Sequence, residues 1–462
     1  MVITSSSGTD DRYEVTLVKV DAPELETRKL VEGFDHSWSL VDGIGDTLYF
    51  VTNQDAKRLR VVTTDLSKPQ IRKAVCEGDH AATTTCSKTV YSFTEVVPEH
   101  SATIDSAAIV GEMIVVDYID DAKSRLEVFG LDGMPKGIID LPGLGTVDGL
   151  NGSAKSDKGY FAFGSFNQPD SIYSFSGTGQ PDIWAKPELP FDLESISVTQ
   201  RFYPSKDGTK IPMFLVHKKD MDLSEGVPTL LYGYGGFNIS VLPGYSAPKM
   251  AWIESGGVYA SVNLRGGGEY GKEWHDGGRL QNKQNVFDDF IAAGEYLIAE
   301  GITPEDGLAI EGRSNGGLLV GAVMNQRPDL FTAGHAAVGV MDMLRFDRFT
   351  AGRYWVDDYG YPDKEADFKT LLGYSPYHNI KDGTDYPALM VSTADTDDRV
   401  VPGHSFKYTA RLQALNTGEK PHLIRIETRA GHGTGKPTDK LIEEYSDIYG
   451  FLADAVGLEI AD

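Results

Sequence analysis

Two arrangements of apolar and polar residues share this chain. In the first, short apolar runs come in pairs joined by polar turns. Val2-Ile3-Thr4 runs through Gly8-Thr9-Asp10-Asp11-Arg12 into Tyr13-Glu14-Val15-Thr16-Leu17-Val18. Leu48-Tyr49-Phe50-Val51 pairs in the same way with Leu59-Arg60-Val61-Val62, Met113-Ile114-Val115-Val116 with Leu126-Glu127-Val128-Phe129, and Tyr160-Phe161-Ala162-Phe163 with Ile172-Tyr173-Ser174-Phe175. Each pair predicts a β-hairpin. The copies begin at residues 2, 48, 113 and 160, so the basic period is near 46 residues. That is the length of one four-stranded propeller blade. Extra residues at 75–91, which include Cys76 and Cys86, fill the longer second interval. The regular period favours a propeller over a plain β-sandwich. The first copy has room only for the last two strands of a blade, so residues 1–193 are read as a partial all-β propeller of about three and a half blades. Closed propellers have about four to eight blades. A chain cut at its N-terminus, or a ring that closes unusually, is therefore expected.

From residue 194 to 462 the pattern changes. Apolar strands at Thr229-Leu230-Leu231-Tyr232, Tyr259-Ala260-Ser261-Val262, Leu308-Ala309-Ile310, Ala388-Leu389-Met390-Val391 and Leu423-Ile424-Arg425-Ile426 alternate with helical stretches. Val286, Phe287, Phe290, Ile291, Leu297 and Ile298 recur at helical spacing, and residues 441–452 read as a closing helix. Such alternation predicts a doubly wound, mostly parallel sheet with helices on both faces, and functional groups at the carboxyl ends of its strands.

One of those strand ends carries Gly312-Arg313-Ser314-Asn315-Gly316-Gly317, a G-x-S-x-G sequence between an apolar strand and the run Leu318-Leu319-Val320. A strand, a tight turn holding serine and a helix lift the hydroxyl above the sheet edge, which is the nucleophile elbow of α/β-hydrolases. A serine hydroxyl needs a base in hydrogen-bond reach, and the base needs an acid to fix its tautomer. His432, with glycine on both sides, follows the last predicted strand and can serve as base. His378 and His404 stand beside predicted helix starts and read as surface or capping residues. Asp395, Asp397 and Asp398 all follow the strand that ends near Ser392; one can orient the histidine, and the others can cap the helix starting near Pro402. Serine, then acid, then histidine is the chain order of this fold. For the developing oxyanion, the elbow supplies the Asn315 amide. A second donor is expected from Gly233-Tyr234-Gly235-Gly236-Phe237, where the Tyr234 hydroxyl can donate; a packed tyrosine in a glycine-rich turn is the equal alternative.

Charge and composition narrow the classes. The formal net charge of -25, with no basic cluster, argues against a nucleic-acid partner. No apolar run reaches membrane-spanning length and the first residues lack a signal-peptide pattern, so a cytoplasmic protein away from membranes is expected. Two cysteines with one isolated nearby histidine, His80, do not make a zinc set; two free thiols in a loop are expected, or a local disulfide if the protein is exported. Gly266, Gly268 and Gly271 match G-x-G-x-x-G, but a polar stretch with Trp274 and His275 follows; Gly435-Lys436 is followed by Pro437 where a phosphate loop needs Ser or Thr. Neither motif is expected to bind a cofactor, and no metal is expected.

Beyond these local readings, the sequence from Tyr203-Pro204-Ser205-Lys206-Asp207-Gly208 onward resembles the catalytic domain of the prolyl oligopeptidase family. The matching motifs are Tyr232-Gly233-Tyr234-Gly235-Gly236-Phe237-Asn238, Arg265-Gly266-Gly267-Gly268-Glu269-Tyr270-Gly271, Asn282-Lys283-Gln284-Asn285, Ser314-Asn315-Gly316-Gly317, Asp397-Asp398-Arg399-Val400-Val401-Pro402 and Gly431-His432-Gly433. The resemblance implies a serine endopeptidase acting after proline on short proline-containing peptides, as a monomer and without a cofactor. It implies Ser314 as nucleophile, Asp397 as acid, His432 as base, and Tyr234 with the Asn315 amide as oxyanion hole. Arg399 is then expected to hold a substrate carbonyl and Trp355 to stack on the proline ring, with Phe237, Val340, Tyr359 and Val400 lining the same pocket. A flat aromatic wall suits a rigid apolar ring. Ala351 stands where the family has a larger aliphatic residue, which widens the pocket. The family's N-terminal segment and about half its propeller are missing from this sequence, so the filter that the propeller is thought to provide against large proteins is expected to be compromised. Two alternatives stand beside the peptidase: a truncated, non-catalytic peptide-binding or interaction protein, and a peptide transpeptidase or macrocyclase using the same acyl-enzyme.

Overall fold

Each of the four paired apolar runs forms two neighbouring strands of one sheet. The chain is described by a computed structural model that covers every residue except 23, 78–82, 190–192, 434 and 461–462. It divides into two units: Met1–Gly143 with Val147–Phe163 and Ser171–Lys186, and Pro187–Asp462 with Leu144–Thr146 and Gly164–Asp170.

The first unit is built from antiparallel blades. Strands Trp38–Ile44, Thr47–Thr52, Arg60–Asp65 and Thr94–Val97 make one four-stranded sheet, and Thr103–Val110, Met113–Asp120, Lys123–Gly130 and Pro135–Ile139 make the next. Thr146–Ser153, Ser156–Ser165, Gln168–Phe175 and Asp182–Ala185 make another. Thr47–Thr52 and Met113–Asp120 read as unbroken apolar runs because both of their faces are buried. Successive side chains point to opposite faces, so Leu48 and Phe50 pack with Val15 and Trp38. Tyr49 and Val51, from the same strand, pack with Ile104 and Ile114 of the following sheet.

The first sheet has three strands, Val2–Ser6, Tyr13–Lys19 and Glu26–Val31, where two were expected. The third escaped notice because Glu26 to Lys29 are all exposed and polar, leaving no apolar run to count. The long second interval holds a separate hairpin, Gln70–Glu77 with Thr83–Val90. The backbones of Cys76 and Cys86 lie in its strands rather than in a loop, and their side chains lie outside the described residues.

The second unit is an eight-stranded sheet. Its strands are β1 (Ile196–Pro204), β2 (Lys210–Lys218), β3 (Thr229–Tyr232), β4 (Val258–Val262), β5 (Leu308–Arg313), β6 (Ala333–Ala337), β7 (Ala388–Ala394) and β8 (His422–Glu427). The spatial order is β1-β2-β4-β3-β5-β6-β7-β8. β1, β2 and β4 run antiparallel to their neighbours in turn, and from β4 to β8 every pairing is parallel. Helices α1 (Ala247–Glu254), α2 (Lys272–Asp276), α3 (Gln284–Ala299), α4 (Asn315–Gln326), α5 (Val356–Tyr359), α6 (Glu365–Tyr374), α7 (Gly403–Ala414) and α8 (Thr438–Val456) complete it. This is the α/β-hydrolase architecture. Residues 315–325 of α4 are all buried, so the helix that follows the elbow runs through the core. α8 buries only Glu444 and the stripe Ile448, Tyr449, Leu452, Ala453 and Val456, at the spacing of one helix face. Among the described residues no helix is long and apolar enough to cross a membrane.

Candidate active site

Ser314 sits between β5 and α4 with φ 59° and ψ -114°, a conformation that costs a non-glycine residue about 1–3 kcal/mol. The turn is tight enough that a Cβ on Gly312 would fall 2.1 Å from the Gly316 carbonyl oxygen. Only glycine fits at 312, and the closeness lets the chain reverse while the Ser314 amide donates to Ala337 O on β6 (2.8 Å).

The loop after β8 brings His432 to Asp397, which follows β7. His432 Nδ1 and Asp397 Oδ2 are 2.7 Å apart. The other carboxylate oxygen, Oδ1, accepts from the amides of Arg399 (3.0 Å) and Val400 (2.9 Å), and Asp397 is buried. Asp395 accepts instead from the Arg429 amide (2.7 Å) and helps hold the histidine loop. Neither Asp395 nor Asp398 caps the following helix, because Pro402 stands at that N-cap with no side-chain bond. Arg313, the residue before Ser314, donates from Nη2 to the His432 carbonyl oxygen, tying the loop to the elbow. Among the described residues Ser314 and His432 share no hydrogen bond; such contacts are often long without substrate and tighten when it binds. His404, expected at the surface, is 1 % exposed, and its Nδ1 accepts from the Asp342 amide (3.0 Å). Burial pushes it down to about 4, so it stays neutral inside the core.

Asn315 begins α4, and as a first-turn residue its N–H has no intrahelical acceptor. The partly exposed Tyr234, just past β3, also makes no side-chain hydrogen bond among the described residues. Burial and the charge of Asp358 push its hydroxyl up to about 12, so it remains a proton donor at neutral pH. Val340, Trp355, Tyr359 and Val400 join one buried cluster with Phe237 and Ala351 packed against it. Trp355 lies parallel to Phe346 (centroids 6.5 Å, 8°), and the Phe237 and Tyr359 rings meet edge to face at 5.3 Å. The exposed Arg399 lies close enough for its charge to act on Tyr234.

Sequence reasoning assigned no role to Lys283, Asp358 or His275. Asp358 Oδ1 accepts from the Phe237 amide (2.9 Å) and lies 3.2 Å from His275 Nε2. Lys283 lies inside the motif Asn282-Lys283-Gln284-Asn285, but local pattern cannot show that it is buried.

The set-aside glycine motif has a packing role. A Cβ on Gly266 would fall 2.8 Å from Gly235 O, so its loop lies directly against the Tyr234 loop. Glu269 of the same motif is buried and accepts from the Val241 amide (2.8 Å) and Asn263 Nδ2 (3.2 Å). Burial pushes its carboxyl up to about 7 from 4.5. A raised folded-state value gives stability that is complete below about 4.5 and is lost as pH rises through about 7. Glu269→Gln is therefore expected to stabilise the protein at pH 8 by about 3 kcal/mol and to flatten the stability profile between those values. Denaturant titrations across the range check this; a variant less stable than the parent at pH 8 would refute it.

Fold and elbow together define an α/β-hydrolase with serine, acid and histidine at three strand ends. The family model described as prolyl oligopeptidase family matches residues 243–459, and its N-terminal β-propeller domain matches residues 1–186. A prolyl endopeptidase of Elizabethkingia miricola is 43% identical over 434 residues, covering 93% of this chain and 58% of that protein. A dual function macrocyclase-peptidase of Galerina marginata is 35% identical over 453 residues, covering 94% of this chain and 58% of that protein. Prolyl oligopeptidase B of the same fungus, bound to a 35mer hydrolysis and macrocyclization substrate, superposes with TM-score 0.90 at 30% identity, covering 100% of this chain and 64% of that one. The chain belongs to the prolyl oligopeptidase family. It spans 58% of the length of these curated relatives.

Proposed function

We propose that this protein is a serine endopeptidase that hydrolyses short peptides on the carboxyl side of proline. The observation that carries the reading is the His432–Asp397 hydrogen bond (2.7 Å) on a loop tied by Arg313 to the strained Ser314 elbow. Ser314 Oγ attacks the prolyl carbonyl while His432 Nε2 takes its proton. Asp397 stabilises the imidazolium, and the oxyanion receives hydrogen bonds from the Asn315 amide and the Tyr234 hydroxyl. His432 then protonates the leaving amine, and water opens the acyl-enzyme by the same steps. Arg399 holds a substrate carbonyl. The aromatic cluster around Trp355 accepts the proline ring, and relatives at this identity bear the name prolyl endopeptidase.

Two measurements test the proposal. A proline-amide reporter is hydrolysed, and a fluorophosphonate labels Ser314 rapidly; a folded preparation that does neither is a binding protein and not a peptidase. The macrocyclase-peptidase relative supports a second outcome of the same acyl-enzyme, in which the peptide's own amine replaces water. The product is then lighter by one water, which mass spectrometry reads.

Arg313→Ala is expected to lower kcat on the reporter roughly 10- to 100-fold, because a small displacement of the base is enough to lose the reacting geometry. Arg313→Lys, which keeps a donor, recovers part of the loss. Unchanged kcat in the alanine variant would show that the loop needs no tie.

A further inference from the structure

Lys283 precedes α3 and is 1 % exposed. Among the described residues its ammonium has no carboxylate in ion-pair distance. A charge buried without a counter-ion costs several kcal/mol, and an apolar side chain of similar size is usually no worse for stability. The two groups that do receive its protons both belong to the oxyanion site. Nζ donates to the Gly235 carbonyl (2.7 Å), next to Tyr234, and to Asn315 Oδ1 (3.1 Å). Asn315 Nδ2 in turn donates to Tyr234 O (2.6 Å), and the Tyr359 hydroxyl donates to Asn315 Oδ1 (2.9 Å). One ammonium therefore closes a ring of hydrogen bonds through the two residues whose N–H and O–H are free to meet an oxyanion.

We propose that Lys283 is the positioning residue of the oxyanion site, locking the Tyr234 loop to Asn315 so that both donors hold one geometry. The proposal rests on the peptidase reading above, which assigns those donors. Its positive charge also adds to the field at the place where negative charge develops, and fixed fields of this kind act strongly in a dry site. Its ammonium lies 5.6 Å from the centroid of the Tyr359 ring of α5 and feels the charge of Asp358. That charge also acts on Tyr359, on Tyr234 of the loop after β3 and on Tyr374 of α6, and Asp358 lies 3.2 Å from His275 Nε2 of α2. Burial pushes the lysine down to about 8 and Asp358 opposes the shift, whereas burial raises all three tyrosines. Of the lysine and these tyrosines, only the lysine changes charge near pH 8.

The test uses the 462-residue chain, a proline-amide reporter and Lys283→Met. The variant is expected to lose about 100-fold in kcat with KM within about threefold, and without a fall in melting temperature. The wild-type kcat declines above about pH 8, and this alkaline limb is absent from the variant. A kcat within about threefold of wild type, or an alkaline limb that persists in the variant, overturns the proposal. Crystal structures of both forms separate this inference from the peptidase reading. An inactive wild type whose Gly235 and Asn315 groups move apart in Lys283→Met keeps the tether and sinks the peptidase; groups that stay in place sink the tether.

Discussion

Ser314→Ala is expected to lower kcat on a proline-amide reporter by about a million-fold and to abolish fluorophosphonate labelling. The oxygen is the only atom removed, and the methyl that stays occupies the same elbow. The Ser314 conformation, φ 59°, is set by the turn rather than by its side chain, so fold and substrate affinity are expected to survive. A residual rate of roughly 10³–10⁴ over water is expected from the Asn315 amide, Tyr234 and binding alone. Reporter kinetics with active-site titration check the loss. Hydrolysis that persists at a hundredth of the parent rate would place the nucleophile elsewhere.

Asp397→Asn is expected to cost about 10⁴ in kcat with little change in KM. The reason lies in how the carboxylate is used. Its Oδ1 is held by the Arg399 and Val400 amides, and an asparagine oxygen can take the same two bonds. The amide nitrogen is then forced into the place of Oδ2, 2.7 Å from His432 Nδ1. A donor there makes Nδ1 the acceptor and puts the ring proton on Nε2, where it cannot receive the serine proton. Asp395→Asn is the control. Asp395 touches only the backbone of the loop, through the Arg429 and Ala430 amides, so its loss is expected to stay within about tenfold. Equal losses for the two variants would mean that both act through the loop and that neither sets the tautomer.

Much of the second unit was legible because its signals are local. The β5–Ser314–α4 turn needs glycines at fixed offsets, and the helix after it needs an apolar run; both stand in the sequence. β6 was not seen, because Ala333-Gly334-His335-Ala336-Ala337 has little apolar bulk even though all five residues are buried. β1 and β2 form an antiparallel pair at one edge, outside the alternation of strand and helix that identified the parallel strands.

The choice of acid shows where local pattern ends. Asp395, Asp397 and Asp398 lie within four positions after one strand, and their spacing leaves all three open. The strand ends, the chain order of serine, acid and histidine, and the blade period were determined by the sequence itself, because each is read from short apolar runs and turn residues and from their order along the chain. The family resemblance pointed to Asp397 and the tertiary structure brought it to His432; the tertiary structure alone decided that His404 is buried and neutral, and that a lysine without a counter-ion lies under the oxyanion donors. Those outcomes depend on contacts between segments as far apart as Gly235, Lys283 and Asn315, and on the loss of water that makes an unpaired charge matter.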